Sequence, residues 1–217
     1  MKKGPGGMLK AIFWDIDGTL LDTERLHCLH LAKVCEKKGL IIEADKAAGA
    51  SNHGAWHLFK IYEHFDSYEE WVDLMCQDYD KEINPTFIRQ GILEVLSYFQ
   101  ERGLRQLAVS NGTRYIVDIN LGNTHLLEFF EHTISFDDVS KAKPDPEPYK
   151  KAIQYCGITP NEAIAVEDTS VGLQSAKAAG LLAVAFPTSQ TRTMDLSIAD
   201  FIIDHPQELI EIVESLR

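Results

Sequence analysis

The reading of this chain turns on Phe13-Trp14-Asp15-Ile16-Asp17-Gly18-Thr19-Leu20-Leu21. An apolar run from Leu9 to Trp14, broken only by Lys10, leads into two carboxylates two residues apart. Gly18 follows at once. Alternate side chains of a strand point the same way, so Asp15 and Asp17 approach one site. Like charges that close are unfavourable unless a cation or a shared proton compensates them. Gly18 has no Cβ, so the backbone can turn sharply and come close to a ligand. The stretch predicts a buried strand with a ligand at its C-terminal tip, where open α/β sheets bind their ligands.

Outward from this stretch the pattern becomes helical. From Glu24 to Lys38, Leu26, Leu29, Val34 and the Cys28/Cys35 pair recur near a 3.6 period, and Gly39 closes the helix. Trp56 to Tyr62 and Trp71 to Tyr79 predict two further amphipathic helices. Asp66-Ser67-Tyr68-Glu69-Glu70 suits a helix start, where negative charge complements the dipole. Asn84-Pro85 breaks the run. Residues 23–87 thus predict an all-helical insertion after the first strand. Beyond it, strands at 106–109, 133–136, 163–166, 181–186 and 201–203 alternate with helices at 91–103, 115–130, 149–156, 171–179 and 206–216. That alternation predicts an α/β fold, a parallel sheet with helices on both faces.

The 217 residues suffice for a full core and a small second unit. Hydrophobic residues make up 45% and charged residues 25%, which is ordinary for a globular protein. A net charge of −12 argues against a broad nucleic-acid surface and against an anionic membrane surface. No apolar run approaches the ~18 residues of a membrane span. Cys28, Cys35, Cys76 and Cys156 form no C-x-x-C pair, so they read as reduced thiols in a cytoplasmic protein. Met1 to Gly7 reads as a flexible leader. Nothing in the pattern demands more than a monomer, with a dimer as the alternative.

Polar residues stand where apolar runs stop: Asp15/Asp17, Ser110/Asn111, Lys143 and Glu167/Asp168. A parallel sheet puts such ends on one edge. Carboxylates converging there suggest a hard cation, and oxygen-only ligation favours Mg2+. A lysine and a hydroxyl suit phosphate oxygens. An Asp carboxylate serves as a nucleophile toward phosphorus, and a second carboxylate as acid and base. Taken singly, each signal has a plainer origin. Asp-x-Asp-Gly and Ser-Asn-Gly are turn formers, Lys143 is a surface lysine, and Glu167-Asp168 is a helix cap. Their joint order favours chemistry. His53 and His57, four apart, read more simply as solvated or substrate-facing residues than as metal ligands, and His27 and His30 warrant the same caution.

With Asp15-Ile16-Asp17-Gly18-Thr19-Leu20-Leu21-Asp22-Thr23-Glu24, Ser110-Asn111-Gly112, Lys143-Pro144-Asp145-Pro146-Glu147-Pro148-Tyr149 and Val166-Glu167-Asp168-Thr169-Ser170-Val171-Gly172 on the page, the chain resembles the haloacid-dehalogenase-like hydrolase superfamily. It is most similar to the branch containing β-phosphoglucomutase and phosphoglycolate phosphatase. The resemblance implies a Rossmann-like core (1–22 and 88–217) and a helical cap (23–87). It implies Asp15 as nucleophile and Mg2+ ligand, and Asp17 as acid/base that gives its backbone carbonyl to the metal. Asp168 would complete the metal shell, with Glu167 beside it. Ser110 and Asn111 would hold phosphoryl oxygens, and Lys143 would neutralise charge there. Thr19 and His27 would lie on the substrate side. Asp17 favours an alkoxide leaving group, hence phosphomonoester hydrolysis of a small organic phosphate such as a sugar phosphate or phosphoglycolate, through an aspartyl-phosphate. The mutase pattern has a basic residue after Gly-x-Ser; here Gly49-Ala50-Ser51 is followed by Asn52, which weakens the phosphosugar-mutase alternative. A catalytically inactive interaction module is the remaining one, and the presence of Asp15, Asp17 and Lys143 opposes it.

Overall fold

The structure, a computed structural model, describes residues 8–43, 46, 52–77 and 79–216. At its centre lies β1 (Ala11–Trp14), with all four side chains fully buried. Ile12 and Trp14 enter one apolar cluster, Ala11 and Phe13 another. A strand covered on both faces must be apolar at every position, which is why the sequence shows a continuous run and no alternation. Burying side chains such as Phe13 contributes roughly 1.5–3 kcal/mol each.

β1 pairs in parallel with β2 (Arg105–Val109) on one side and β4 (Ala163–Glu167) on the other. With β3 (His132–Ile134), β5 (Leu182–Ala185) and β6 (Phe201–Ile202), the sheet order is β3-β2-β1-β4-β5-β6, every pair parallel. The chain therefore leaves β1 toward one edge, then returns and builds toward the other. Such a reversal opens a crevice at the C-terminal ends of the strands beside β1.

Between β1 and the next long helix of the core, the described chain is helical: α1 (Glu24–Lys37), α2 (Asn52–Leu58), α3 (Tyr68–Cys76) and α4 (Tyr79–Glu82), with 3-10 turns at Ile61–Glu63 and Pro85–Phe87. Ser67 starts α3 by accepting from the Glu70 amide at 3.0 Å. These helices share an apolar cluster containing Leu31, Val34, Phe65, Trp56 and Trp71. The Trp56 ring lies 5.4 Å from both Tyr68 and Trp71. Leu26, Tyr79 and Ile83 instead join the cluster beneath the sheet, so these helices are seated on the core. Chain entry and exit run side by side: the Asp22 amide donates to the Phe87 carbonyl (2.8 Å) and the Arg89 amide to that of Leu20 (3.0 Å). The Arg89 guanidinium donates to the carbonyls of Gly18, Phe186 and Pro187 and lies over the Phe186 ring.

The core helices are α5 (Ile92–Glu101), α6 (Arg114–Asn123), α7 (Glu147–Cys156), α8 (Ser170–Ala178) and α9 (Gln207–Leu216). α5, α6 and α9 cover one face through residues such as Phe99, Val117 and Leu209; α7 and α8 cover the other through Tyr149, Ala152 and Leu173. Several sequence expectations shift at their edges. The first strand begins at Ala11, not Leu9. The helix expected to reach Phe130 ends at Asn123 and is followed by a 3-10 turn at Leu127–Phe129. Leu29, placed on the apolar face by periodicity, is 49% exposed. In α1 the buried stripe runs through Leu26, His30, Leu31 and Val34, so a histidine takes the inward position. Gly49 to Ser51, and the side chains of Asn52 and His53, lie outside the described residues; His57 is exposed.

Candidate active site

Four loops leaving the sheet bring their polar residues together. Asp15 follows β1 directly, its amide bonded to the Val166 carbonyl at 3.0 Å, which sets it level with Glu167 at the end of β4. Gly18 turns the chain with φ +86°, and a Cβ there would stand 2.2 Å from Asp168 Oδ2. Glycine is required on both counts. Gly172 has the same function for the neighbouring acid: a Cβ would meet Glu167 Oε2 at 1.9 Å.

Lys143 is the hub. Its ammonium donates to Asp15 Oδ1 (2.7 Å), Glu167 Oε1 (2.6 Å) and the Val109 carbonyl (2.7 Å), which uses all three of its protons. The side chain is 3% exposed. Burial alone would favour the neutral amine, but Asp15 and Glu167 outweigh it and raise the pKa. Tyr149 also donates to Glu167 Oε1, at 2.6 Å. The loop carrying Lys143 is tied down by the Asn111 side chain, whose Oδ1 accepts from the Lys143 amide (3.0 Å) and whose Nδ2 donates to its carbonyl (3.2 Å). Ser110 Oγ accepts from the Gly112 amide at 2.9 Å and is buried at the site.

Asp15, Glu167 and Asp168 present carboxylate oxygens within 4.8 Å of one another, all buried. Burial first, then the Glu167 charge, pushes the Asp15 pKa up to about 8, with Lys143 opposing. A buried triplet of hard oxygen donors with one ammonium carries excess negative charge, and this fits a divalent cation of the Mg2+ type. Asp17 turns elsewhere. Its Oδ1 accepts from Thr23 Oγ1 (2.6 Å) and Asn120 Nδ2 (2.9 Å), and His27 Nε2 lies 3.1 Å away. Burial would raise its pKa, but His27, Thr23 and Asn120 together hold it below the ordinary value. Asn120 in turn accepts from Tyr79 at 2.9 Å, and His27 stacks on Tyr79 at 5.2 Å.

These groups open onto one cavity of about 430 Å³ between the sheet edge and the helices above it. Asp15, Asp17, Ser110, Asn111, Lys143, Glu167, Asp168 and His27 all line it. Thr19, expected on the substrate side, does not: it is fully buried in the turn, its amide bonded to the Ile16 carbonyl. Sequence reasoning missed Thr23, Tyr79, Asn120 and Tyr149. Asn120 carried a signal, since it is a polar residue on the same helical stripe as Ile116 and Val117.

Residues 12–186 match the profile of the family described as haloacid dehalogenase-like hydrolase. The protein CbbY of Rhodobacter capsulatus is 30% identical over 212 residues, covering 90% of this chain and 92% of its own. The pyrophosphatase PpaX of Bacillus cereus is 26% identical, covering 96% and 98%. The crystal structure of CbbY from Rhodobacter sphaeroides in complex with phosphate superposes with a TM-score of 0.81 at 23% identity, covering 93% of this chain and 96% of that one. The chain belongs to the haloacid dehalogenase-like hydrolase family, and it is an enzyme of that family's phosphatase kind. Among the described residues no helix is long and apolar enough to cross a membrane.

Proposed function

We propose that the protein is a Mg2+-dependent phosphomonoester hydrolase of a small organic phosphate, working through an aspartyl-phosphate at Asp15. The observation that carries this is the buried convergence of Asp15, Lys143, Glu167 and Asp168 on the floor of one cavity. Residues 1–22 and 88–217 form the core that holds the chemistry, and 23–87 the cap that encloses the substrate. Asp15, Asp168 and the backbone carbonyl of Asp17 would hold Mg2+, with Glu167 beside them. An ion held there would offset the carboxylates and polarise the phosphoryl group.

Asp15 Oδ attacks phosphorus as the ester P–O bond breaks. The leaving alkoxide takes its proton from Asp17. A water then attacks the phosphoryl group, Asp17 takes that water's proton, and Asp15 is released with inorganic phosphate. The hydrogen bonds that Thr23 and Asn120 donate to Asp17 Oδ1, with His27 Nε2 3.1 Å away, favour its ionised form, the form the second half-reaction uses. Ser110 and the Asn111 backbone hold the phosphoryl oxygens, while Lys143 limits charge at the nucleophile. Thr19 supports the turn from inside. A cap that closes over the site excludes water until the ester is in place. No disulfide joins the four cysteines, which suits a cytoplasmic setting.

Phosphate release from a panel of monoesters with and without Mg2+ tests the reading. Asp15→Asn is expected to lower kcat at least ~10³-fold. Acid quenching of the wild type should leave a phosphoryl group on the peptide containing Asp15. Wild-type turnover in Asp15→Asn, or an inert Mg2+-loaded enzyme, would reject the proposal.

A further inference from the structure

The cavity has two halves of opposite character. Its floor is the charged sheet edge. Among the described residues its cap-side wall is dominated by Leu31, Ala55, Trp71, Met75 and Tyr79, to which α6 adds Ile116, all six buried; His27, Cys28, Gly54 and Cys76 complete it.

The cations of the cap are spent elsewhere. Residues 23–87 contain seven lysines and arginines, none of which lines the cavity. Lys33 faces Glu82, Lys38 faces Glu70, Lys46 faces Glu43, and Lys60 faces Glu63. Arg25, Lys37 and Lys81 are exposed. From Ala47 to His53 the sequence contains neither Lys nor Arg. The basic group that the described cap brings to the cavity, His27, is engaged by Asp17.

A wall of this kind discriminates by desolvation. A second phosphate or a carboxylate on the alcohol would lose its water and meet no Lys or Arg among the described residues of the wall. The hydroxyls of a sugar would be stripped of water with few partners among those residues in return. An apolar ring gains by leaving water and brings no polar group of its own that would go unpaired. Resting on the phosphatase reading above, we propose that the substrate is the monophosphate of an apolar, ring-sized alcohol with no second anionic group. The volume of the cavity is in the range of small-molecule sites, large enough for a phosphoryl group and one ring.

Matched esters test this with chemistry held constant. Cyclohexylmethyl phosphate and glucose 6-phosphate both release a primary alkoxide, so a difference in kcat/KM reports the wall. With Mg2+ present, kcat/KM is expected to be ~10–100-fold higher for the cyclohexylmethyl ester. It is also expected to exceed that for phosphoglycolate and for fructose 1,6-bisphosphate. Calorimetry with cyclohexylmethylphosphonate, which cannot be hydrolysed, should show tighter binding than the phosphonate isostere of glucose 6-phosphate. Equal or greater kcat/KM for the sugar phosphate, the bisphosphate or phosphoglycolate overturns the proposal and leaves the phosphatase reading intact. Release from none of the esters overturns both.

Discussion

The sheet edge and the cap wall meet across one cavity and are held together by opposite means. At the edge, polar groups are buried and paired: Lys143 alone joins Asp15, Glu167 and a β2 carbonyl. Above it, apolar and aromatic side chains pack around Trp56 and Trp71, and the charges lie outside. The edge fixes geometry by directional bonds in a low dielectric, where each bond is strong and each loss costly. The wall fixes shape by packing, which tolerates change if volume is kept. Under the function proposed above, chemistry belongs to the edge and selection among substrates to the wall.

Breaking the edge should have the largest effect. Lys143→Met leaves Asp15 and Glu167 buried without their cation, an arrangement that typically costs ~3–5 kcal/mol. The variant should melt lower and release phosphate at least ~10²-fold more slowly; unchanged melting would show that the hub is not what holds the edge. A smaller effect is expected where edge and cap touch. Asn120→Ala removes one donor to Asp17 and the partner of Tyr79. It should lower kcat about tenfold, equal to ~1.4 kcal/mol, with little change in KM. A rise in KM alone would assign Asn120 to the wall.

The smallest effect sharpens the account of the floor. Asp15 has its pKa raised to about 8 in the fold, mainly by burial, against about 3.9 when unfolded. Stability from that group is full below the unfolded value and is lost as pH rises through the folded one. A divalent cation offsets the charge that appears, so the gain in Tm on adding Mg2+ should grow from pH 5 to pH 8.5. A difference of ~1 kcal/mol, or ~2–4 °C, is expected in paired melts. A gain that stays flat across this range would remove Asp15 from the metal site.

Much of the edge was legible in the sequence because its signals are local. Asp15, Ser110, Lys143, Glu167 and Asp168 each follow an apolar run or a proline-marked loop, and parallel strands align their C-terminal ends. What surrounds Asp17 was less legible. Asn120, polar on an otherwise apolar helical stripe, reaches it from 103 residues away, a pairing that only packing reveals. Tyr79 reaches Asn120 from the cap across 41 residues. The motif placed Thr19 on the substrate side; in the structure the turn folds it inward and its amide donates to the Ile16 carbonyl.

The sequence by itself determined that strands would alternate with helices, that a helical segment would follow the first strand, and where polar residues would end the apolar runs. Periodicity and turn chemistry act over a few residues, so one chain suffices to read them. Only the tertiary structure decided the strand order, the three-way grip of Lys143 and the surroundings of Asp17. It also turned the cap's cations outward and left an apolar wall over the acids. Those outcomes depend on which distant surfaces exclude water together, and no local pattern encodes that.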